Sequence, residues 1–179
     1  METRTMNLIV GTSGGTAGGK AVNYKLALPS AWVKEIGLTP EQRQVELCFD
    51  GVSIVITRKL SFEEFLKVNR QAGHKTMLLS CYSGDTLCAQ IAADETSKKI
   101  CLKNFTADYL KLPFGNNLCP SWADFEHFLE SRCIPKTRAG LQDYLEAIGA
   151  GSYDPLEIIR KTHGRMAEDD LWLNVEEGK

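Results

Sequence analysis

The sequence lacks any long hydrophobic run. Of its 179 residues, 43% are hydrophobic, but no apolar stretch approaches the roughly 20 residues that a membrane-spanning helix needs. A secretion signal is not expected either, because the apolar run at residues 6–10 is short and is followed by Gly, Thr and Ser. The sequence therefore predicts a cytoplasmic protein without a membrane partner.

Cysteine and histidine residues at metal-ligand spacing are also missing. The chain has six cysteines and three histidines. No two cysteines have C-x-x-C spacing and no histidine has ligand spacing to a cysteine, so a zinc site is not expected. Without a secretion signal, free thiols are expected rather than disulfides. We therefore expect no metal and no cofactor.

No set of side chains has the pattern of a catalytic site. Cys133 lies near His127 in the sequence, but a cysteine nucleophile needs a thiolate in an electropositive, partly exposed pocket, and nothing in the sequence indicates one. The consecutive carboxylates Glu168, Asp169 and Asp170 cannot all point one way, as a catalytic metal site would require. The sequence therefore predicts a protein that is not an enzyme.

A strong net charge is absent as well, since the whole chain carries −2. This argues against a uniformly basic nucleic-acid-binding protein, but the charge is unevenly distributed. Residues 1–59 carry +2, residues 60–120 carry +1 and residues 121–179 carry −5. The acidic last third indicates either a second kind of partner or an ordinary solvated surface.

The most informative stretch is residues 20–59, where strand and helix patterns alternate. Apolar side chains alternate over residues 22–28, as in a half-buried strand. Pro29 stops strand pairing and suits the first turn of a short helix, which Gly37 closes. Two further alternating strands follow, joined by a tight Asp-Gly turn at 50–51. A unit of this size is near the lower limit for a self-sufficient core and should need a partner.

In their order and spacing these features resemble the AbrB/MazE/SpoVT swapped-hairpin family. The matching positions are Gly19-Lys20, Leu28-Pro29, the helix from Trp32 to its end at Gly37-Leu38, and Asp50-Gly51. In that family two copies interlace their hairpins into one small β-barrel, and the dimer binds duplex DNA through basic residues on strands and loops. The resemblance covers roughly residues 7–59. It implies a homodimeric, DNA-binding N-terminal domain.

The resemblance implies that DNA contacts come from Lys20, Asn23, Lys25 and Arg58. Lys20, Asn23 and Lys25 are expected on the solvent face of the first strand, and a two-fold dimer would double them into one positive stripe. This strand carries Lys where many family members carry Arg, so phosphate contacts are expected rather than bidentate base contacts. The alternative is an ordinary solvated strand face.

The glycine-rich segment at residues 11–19, GTSGGTAGG, is expected to be a flexible arm or linker. Together with Lys20 it nearly matches a phosphate-binding P-loop. However, Ala21 stands where that motif needs a Ser or Thr hydroxyl, and a strand pattern follows where the motif needs a helix. Nucleotide binding is therefore not expected here.

Residues 60–179 form the second predicted domain, in which strand patterns precede helical ones. Ser61 and Glu64 make a capping box that opens a helix. Three strand patterns then predict a three-stranded antiparallel meander, at residues 76–82, 86–93 and 99–105. From Ser121 the period becomes helical, and three helices are expected to pack on this sheet. With an N-terminal domain at residues 1–59, the predicted fold class is α+β.

The C-terminal tail carries the residues predicted to bind a protein partner. Trp172 lies just beyond Glu168, Asp169 and Asp170, and an aromatic anchor beside carboxylates suits a basic, nucleic-acid-binding groove. The alternative is that Trp172 packs on the third helix.

The helical part of the C-terminal third also carries basic residues that could contact phosphates or pair internally with carboxylates. They are Arg132, Lys136, Arg138, Arg160, Lys161 and Arg165.

Three C-terminal segments carry a second resemblance: FGNN, SWADFEHFLESRCIPKTRAGLQDYLEAIG and YDPLEIIRKTHGRMAEDDLWL. They are similar to a domain found behind AbrB-type N-termini in bacterial mobile-element proteins, and some proteins of this layout inhibit the RNA-guided nuclease of type II CRISPR systems. The resemblance implies a non-enzymatic anti-CRISPR inhibitor whose partners are double-stranded DNA and an RNA-guided nuclease complex. The alternative is an AbrB-type transcription regulator or antitoxin that reads an operator.

Overall fold

The computed structural model describes residues 2–12, 22–49 and 51–177. The chain divides into two units, unit 1 at residues 1–59 and unit 2 at residues 60–179. The predicted α+β class is confirmed, because the described residues form antiparallel sheets together with five α-helices.

Unit 1 contains two β-hairpins with a short helix between them. Its elements are β1 (Ile9–Thr12), β2 (Val22–Lys25), α1 (Ser30–Glu35), β3 (Val45–Phe49) and β4 (Ile54–Arg58). β1 pairs with β2 and β3 pairs with β4, both antiparallel, in two separate two-stranded sheets. The described residues of this single chain form no closed barrel.

Proline and glycine set the limits of α1 and of the β3–β4 turn. Pro29 precedes the helix with an extended backbone, φ −58° and ψ 129°. Gly37 follows it at φ +78°, a left-handed conformation that glycine adopts without strain. Gly51 turns between β3 and β4 at φ +93°, while Asp50, the other residue predicted for this turn, lies outside the described residues.

Unit 2 is built on one four-stranded antiparallel sheet. Its elements are α2 (Phe62–Gln71), β5 (Thr76–Ser83), β6 (Thr86–Asp94), β7 (Lys99–Asn104), a 3₁₀ turn (Tyr109–Lys111), α3 (Trp122–Ser131), α4 (Leu141–Ile148), α5 (Pro155–Thr162) and β8 (Leu171–Glu177). The strand order is β7, β6, β5, β8. The predicted meander is therefore present as β5, β6 and β7.

The sheet also has a fourth strand, where an acidic tail was expected. β8 pairs antiparallel with β5 along its whole length. The prediction of a three-stranded sheet was thus incomplete. Leu173 and Val175 of β8 alternate toward the main core, so the tail completes the fold of unit 2.

Helices cover both faces of the sheet. Ile91 and Ala92 are neighbours on β6 and therefore point to opposite faces. Ile91 is fully buried in the main core with Phe125 of α3 and Ile158 of α5. Ala92 belongs to a smaller core with Phe65 of α2 on the other face. Burial of each large apolar side chain contributes about 1.5–3 kcal/mol relative to exposure.

The capping box predicted at Ser61 and Glu64 is present, and two further helices of unit 2 are capped by side chains as well. In α2, the Ser61 hydroxyl accepts the backbone N–H of Glu64 at 3.2 Å, and the Glu64 carboxylate accepts that of Ser61 at 3.0 Å. Ser121 and Asp124 make the same reciprocal pair at 3.2 and 2.7 Å. Asp154 caps α5 by accepting two backbone N–H groups of its first turn. Each such cap typically stabilises a helix by ~1 kcal/mol.

Candidate nucleic-acid and partner interfaces

Asn23 and Lys25 lie on one exposed face of the β1–β2 hairpin. In the antiparallel register Asn23 is opposite Gly11 and Lys25 is opposite Ile9, so these residues share a face, and all of them are exposed. Lys20 lies outside the described residues. The face therefore presents an amide and an ammonium to solvent, which are groups that contact DNA phosphates.

Arg58 lies on the other hairpin, at the end of β4. It pairs with Val45, it is half-buried, and its Nε atom lies 3.5 Å from the position that a Cβ atom at Gly37 would take. Arg58 therefore packs beside the end of α1. Of the residues predicted to contact DNA, the structure brings Asn23 and Lys25 together on one hairpin and places Arg58 on another.

Unit 1 leaves most of its apolar side chains in solvent. Leu38 is the only buried residue among its described side chains. The register of β3 and β4 collects five apolar residues on one face, called here the β3–β4 apolar face: Val45, Leu47, Phe49, Ile54 and Ile56. Leu47, Phe49 and Ile54 are 64%, 70% and 66% exposed. A contiguous exposed apolar surface of this kind marks an interaction site.

Asp169, one of the tail carboxylates predicted to bind a partner, is held by Arg132. The guanidinium donates to both oxygens of Asp169, at 2.6 and 3.0 Å, and also to the backbone carbonyls of Gly164 at 2.9 Å and Leu171 at 2.8 Å. The hydrogen bonds from Arg132 are the main cause that lowers the pKa of Asp169. Asp169 therefore connects α3 to the start of β8.

Trp172 also has several contacts inside unit 2. Its ring stacks on Tyr82 of β5 with centroids 4.3 Å apart, and its indole N–H donates to the carbonyl of Gly84 at 2.7 Å. The Arg165 guanidinium lies 5.3 Å from the Trp172 centroid, and His163 meets the ring edge-on at 6.0 Å. Trp172 thus packs mainly on β5, and not simply on the third helix as the alternative had it.

Glu168 and Asp170 are exposed, and the side chain of Asp169 between them is itself 37% exposed although it is bound to Arg132. The backbone carbonyl of Asp170 accepts the N–H of Gly84 at 3.1 Å, which ties this segment to the β5–β6 turn and leaves its carboxylate in solvent. Among the four predicted partner residues, Glu168, Asp169 and Asp170 are exposed and Trp172 is half-buried, and Asp169 and Trp172 also make contacts inside unit 2.

Three of the basic residues considered for phosphate contact pair with carboxylates of unit 2. Arg132 is buried against Asp169, as described above. Lys136 lies 2.7 Å from Glu130, and Arg160 lies 3.0 Å from Glu177. The last two pairs are largely exposed and contribute only ~0–1 kcal/mol each. Internal pairing, one of the two alternatives, is what the structure shows for these three cations.

Cys133 has the environment of a structural thiol. It is buried and its Sγ donates to the carbonyl of Leu129 at 3.4 Å. Burial is the main cause that raises its pKa to about 11, and the charges of Asp154 and Glu130 raise it further. The thiol is therefore neutral near pH 7, unlike a nucleophilic cysteine. Within the described ranges, no group of three or more His, Cys, Asp or Glu side chains could hold a metal ion.

The structure also contains a groove that sequence patterns did not single out. It lies between α3, the start of α5 and the β6–β7 turn, has a volume of about 610 Å³, and is called here the α3–α5 groove. The residues that line it include Glu95, Lys98, Trp122, Glu126, Asp154 and Leu156. The one local clue in the sequence is the spacing of Trp122 and Glu126, because residues four apart on a helix are neighbours on its surface.

In the part of the chain that the structure describes, no helix combines the length and apolar character needed to cross a membrane. The resemblance to the swapped-hairpin family rests on the pattern of residues 7–59 and stays a prediction. Comparisons of the chain with protein-family models, with curated proteins and with solved structures gave no match.

Proposed function

We propose that this chain is a non-enzymatic protein that binds duplex DNA as a homodimer, through a swapped-hairpin barrel formed by two copies of unit 1. The observation that carries the proposal is the exposed β3–β4 apolar face, on which Phe49 is 70% exposed. An isolated two-stranded hairpin is marginally stable in water. A second copy would cover this face and pair strand edges that otherwise stay open.

The DNA surface in this proposal is the polar face of the β1–β2 hairpin. Asn23 and Lys25 are exposed there, while Val22 and Tyr24 point to the opposite face of the same strand. In a two-fold dimer, two such faces would form one positive stripe. Lys20, which precedes β2 by two residues in the sequence, is proposed to add to this stripe. Ammonium groups act mainly by neutralising phosphates, so binding should depend little on base sequence.

DNA binding is tested by fluorescence anisotropy with a labelled duplex at several salt concentrations. If two lysines on each of two protomers each neutralise one phosphate, log affinity should fall with log salt at a slope of about −3.6. The double variant Lys20→Glu, Lys25→Glu should lose binding and keep its circular dichroism spectrum. The charge-matched control is Lys67→Glu, Lys99→Glu, two exposed positions of unit 2 outside the basic residues considered for phosphate contact. If both double variants bind equally, the DNA surface lies elsewhere.

For the biological role, we propose inhibition of a type II RNA-guided nuclease by a mobile-element protein. The support is the net −5 of residues 121–179, since an acidic module can compete for surfaces that hold nucleic acid. A transcription regulator or antitoxin is the second candidate. It is favoured by the internal contacts of Asp169 and Trp172, which leave fewer tail groups free for docking.

A DNA-cleavage assay with a purified type II effector and its guide separates the two roles. An inhibitor should reduce cleavage at stoichiometric concentration, and the variant Glu168→Gln, Asp170→Asn should weaken this inhibition because it neutralises the exposed tail carboxylates. Full cleavage at excess protein, together with salt-sensitive DNA binding, would support the regulator instead.

A further inference from the structure

We propose that the α3–α5 groove is a docking site for a basic segment of a partner protein, with one guanidinium or ammonium group placed against Trp122. The groove has a volume of about 610 Å³, within the usual range of binding pockets. Leu156 and the half-buried ring of Trp122 give it apolar walls. Carboxylates lie around these walls.

The ring of Trp122 already has a cation over it. The ammonium of Lys98, from the β6–β7 turn, lies 4.7 Å from the ring centroid. Tryptophan is the best aromatic partner for a cation at this distance. Lys98 is one of the residues that line the groove, so its ammonium marks the position that a cation from outside would take and competes for it.

Two carboxylates of the groove have no Lys or Arg partner among the described residues. Glu126 accepts the indole N–H of Trp122 at 2.7 Å, and Asp154 caps the backbone of α5. By contrast, Glu95 is paired with Lys75 at 2.6 Å. Glu126 therefore places a carboxylate that forms no ion pair among the described residues beside the aromatic ring, a combination that suits a planar guanidinium.

These charges decide which class of partner fits. A nucleic acid would bring phosphates to the carboxylates of Glu126 and Asp154 and be repelled. A basic peptide segment brings the complementary charge, and an arginine side chain can stack on Trp122 while it binds Glu126. The inference goes beyond the proposed function, because peptide binding can be measured with no DNA or nuclease present.

The test uses the full chain labelled with ¹⁵N and a hexa-arginine peptide as the probe. The indole N–H resonance of Trp122, assigned by its loss in Trp122→Phe, should shift as the peptide is added. Lys98→Ala should raise peptide affinity about two- to five-fold, the effect of freeing one partly exposed cation–π position. Lys99→Ala, the matched control, makes the same charge change at the next residue.

A second pair of variants tests the carboxylate. Glu126→Gln keeps an acceptor for the Trp122 indole but removes the charge, and it should lower peptide affinity more than Glu146→Gln, an exposed position on α4. The proposal is overturned if the Trp122 indole resonance stays unmoved at saturation. It is equally overturned if each variant matches its control, because the peptide would then respond to net charge alone.

Discussion

At the scale of single residues, Arg132 connects three parts of unit 2. Its side chain is 7% exposed and binds Asp169, Gly164 and Leu171. Arg132→Met would remove these hydrogen bonds, and Asp169 would keep only the one from the Leu171 backbone N–H among those described. Removing one partner of a buried pair typically costs 3–5 kcal/mol. Because Asp169 is 37% exposed and regains water, we expect a loss of about 2–4 kcal/mol in urea unfolding at pH 7.

The matched control for this prediction is Arg160→Met. Arg160 pairs with Glu177, but both side chains are exposed, at 39% and 73%, and such pairs contribute ~0–1 kcal/mol. Equal losses in the two variants would show that the hydrogen bonds of Arg132 do not stabilise unit 2 beyond an ordinary surface pair.

We expect Asp94 to make the folding stability of unit 2 depend on pH. Its carboxylate is fully buried at the end of β6 and accepts hydrogen bonds from His74 at 2.7 Å, from the Thr96 backbone at 2.9 Å and from Ser97. Burial acts to raise the pKa of Asp94, but the hydrogen bonds from Ser97, His74 and the backbone outweigh it and lower the pKa.

Because the pKa of Asp94 is lower in the folded state than in the unfolded state, Asp94 stabilises the fold at every pH above its unfolded-state pKa of about 3.9. This stabilisation is lost as the pH falls through the folded-state pKa. Asp94→Asn should therefore melt at a lower temperature at pH 7 and show a flatter decline in melting temperature below about pH 4. Thermal melts from pH 7 to pH 2 measure both effects. Asp85→Asn, an exposed turn position, should follow the unmodified protein. A parallel decline in the Asp94 variant would contradict the assignment.

At the scale of elements, β8 decides whether unit 2 can be shortened. Removing residues 166–179 would leave β5 as an edge strand with unpaired backbone groups. It would also remove Leu173 and Val175, the partners of Cys81 and Leu79 of β5, from the main core. We expect the truncated chain to lose its cooperative thermal transition by circular dichroism. The variant Glu168→Gln, Asp170→Asn, which changes only exposed side chains, should keep it. A truncated chain that melts like the full chain would show that β8 is dispensable.

Local elements of this fold could be predicted from the sequence, and the reason is physical. A cap such as Ser61 or Ser121 depends on a backbone group three residues away, so the pattern contains all of the interaction. β8 depends on β5 instead, and the indole of Trp172 donates to a carbonyl 88 residues earlier. A short acidic segment with alternating apolar residues does not specify which strand it pairs with.

The same distinction applies to the candidate sites. Asn23 and Lys25 share a face because alternation along a strand is local. The pair of Arg132 and Asp169 spans 37 residues, so a local pattern leaves both internal pairing and phosphate contact open for Arg132. In the α3–α5 groove, Lys98 and Trp122 come from different elements, and only tertiary structure brings an ammonium over that ring.

At the scale of the whole molecule, the exposed apolar side chains of unit 1 predict its assembly. Leu47 is 64% exposed at the middle of the β3–β4 apolar face, whereas burial of a leucine is typically favourable by about 1.5–3 kcal/mol. Light scattering at micromolar concentration should therefore report a dimer. Leu47→Asp should shift it to monomer, because a buried unpaired carboxylate at the interface is strongly unfavourable.

A variant that loses dimerisation should then lose DNA binding as well. If the positive stripe exists only when two copies meet, Leu47→Asp should lose DNA affinity although it changes no residue of the β1–β2 hairpin. Val68→Asp adds the same charge at a position of α2 that is 44% exposed, and it should remain dimeric and keep DNA affinity. A monomeric Leu47→Asp variant that still binds DNA normally would separate the two properties, and the surface that binds DNA would belong to a single chain.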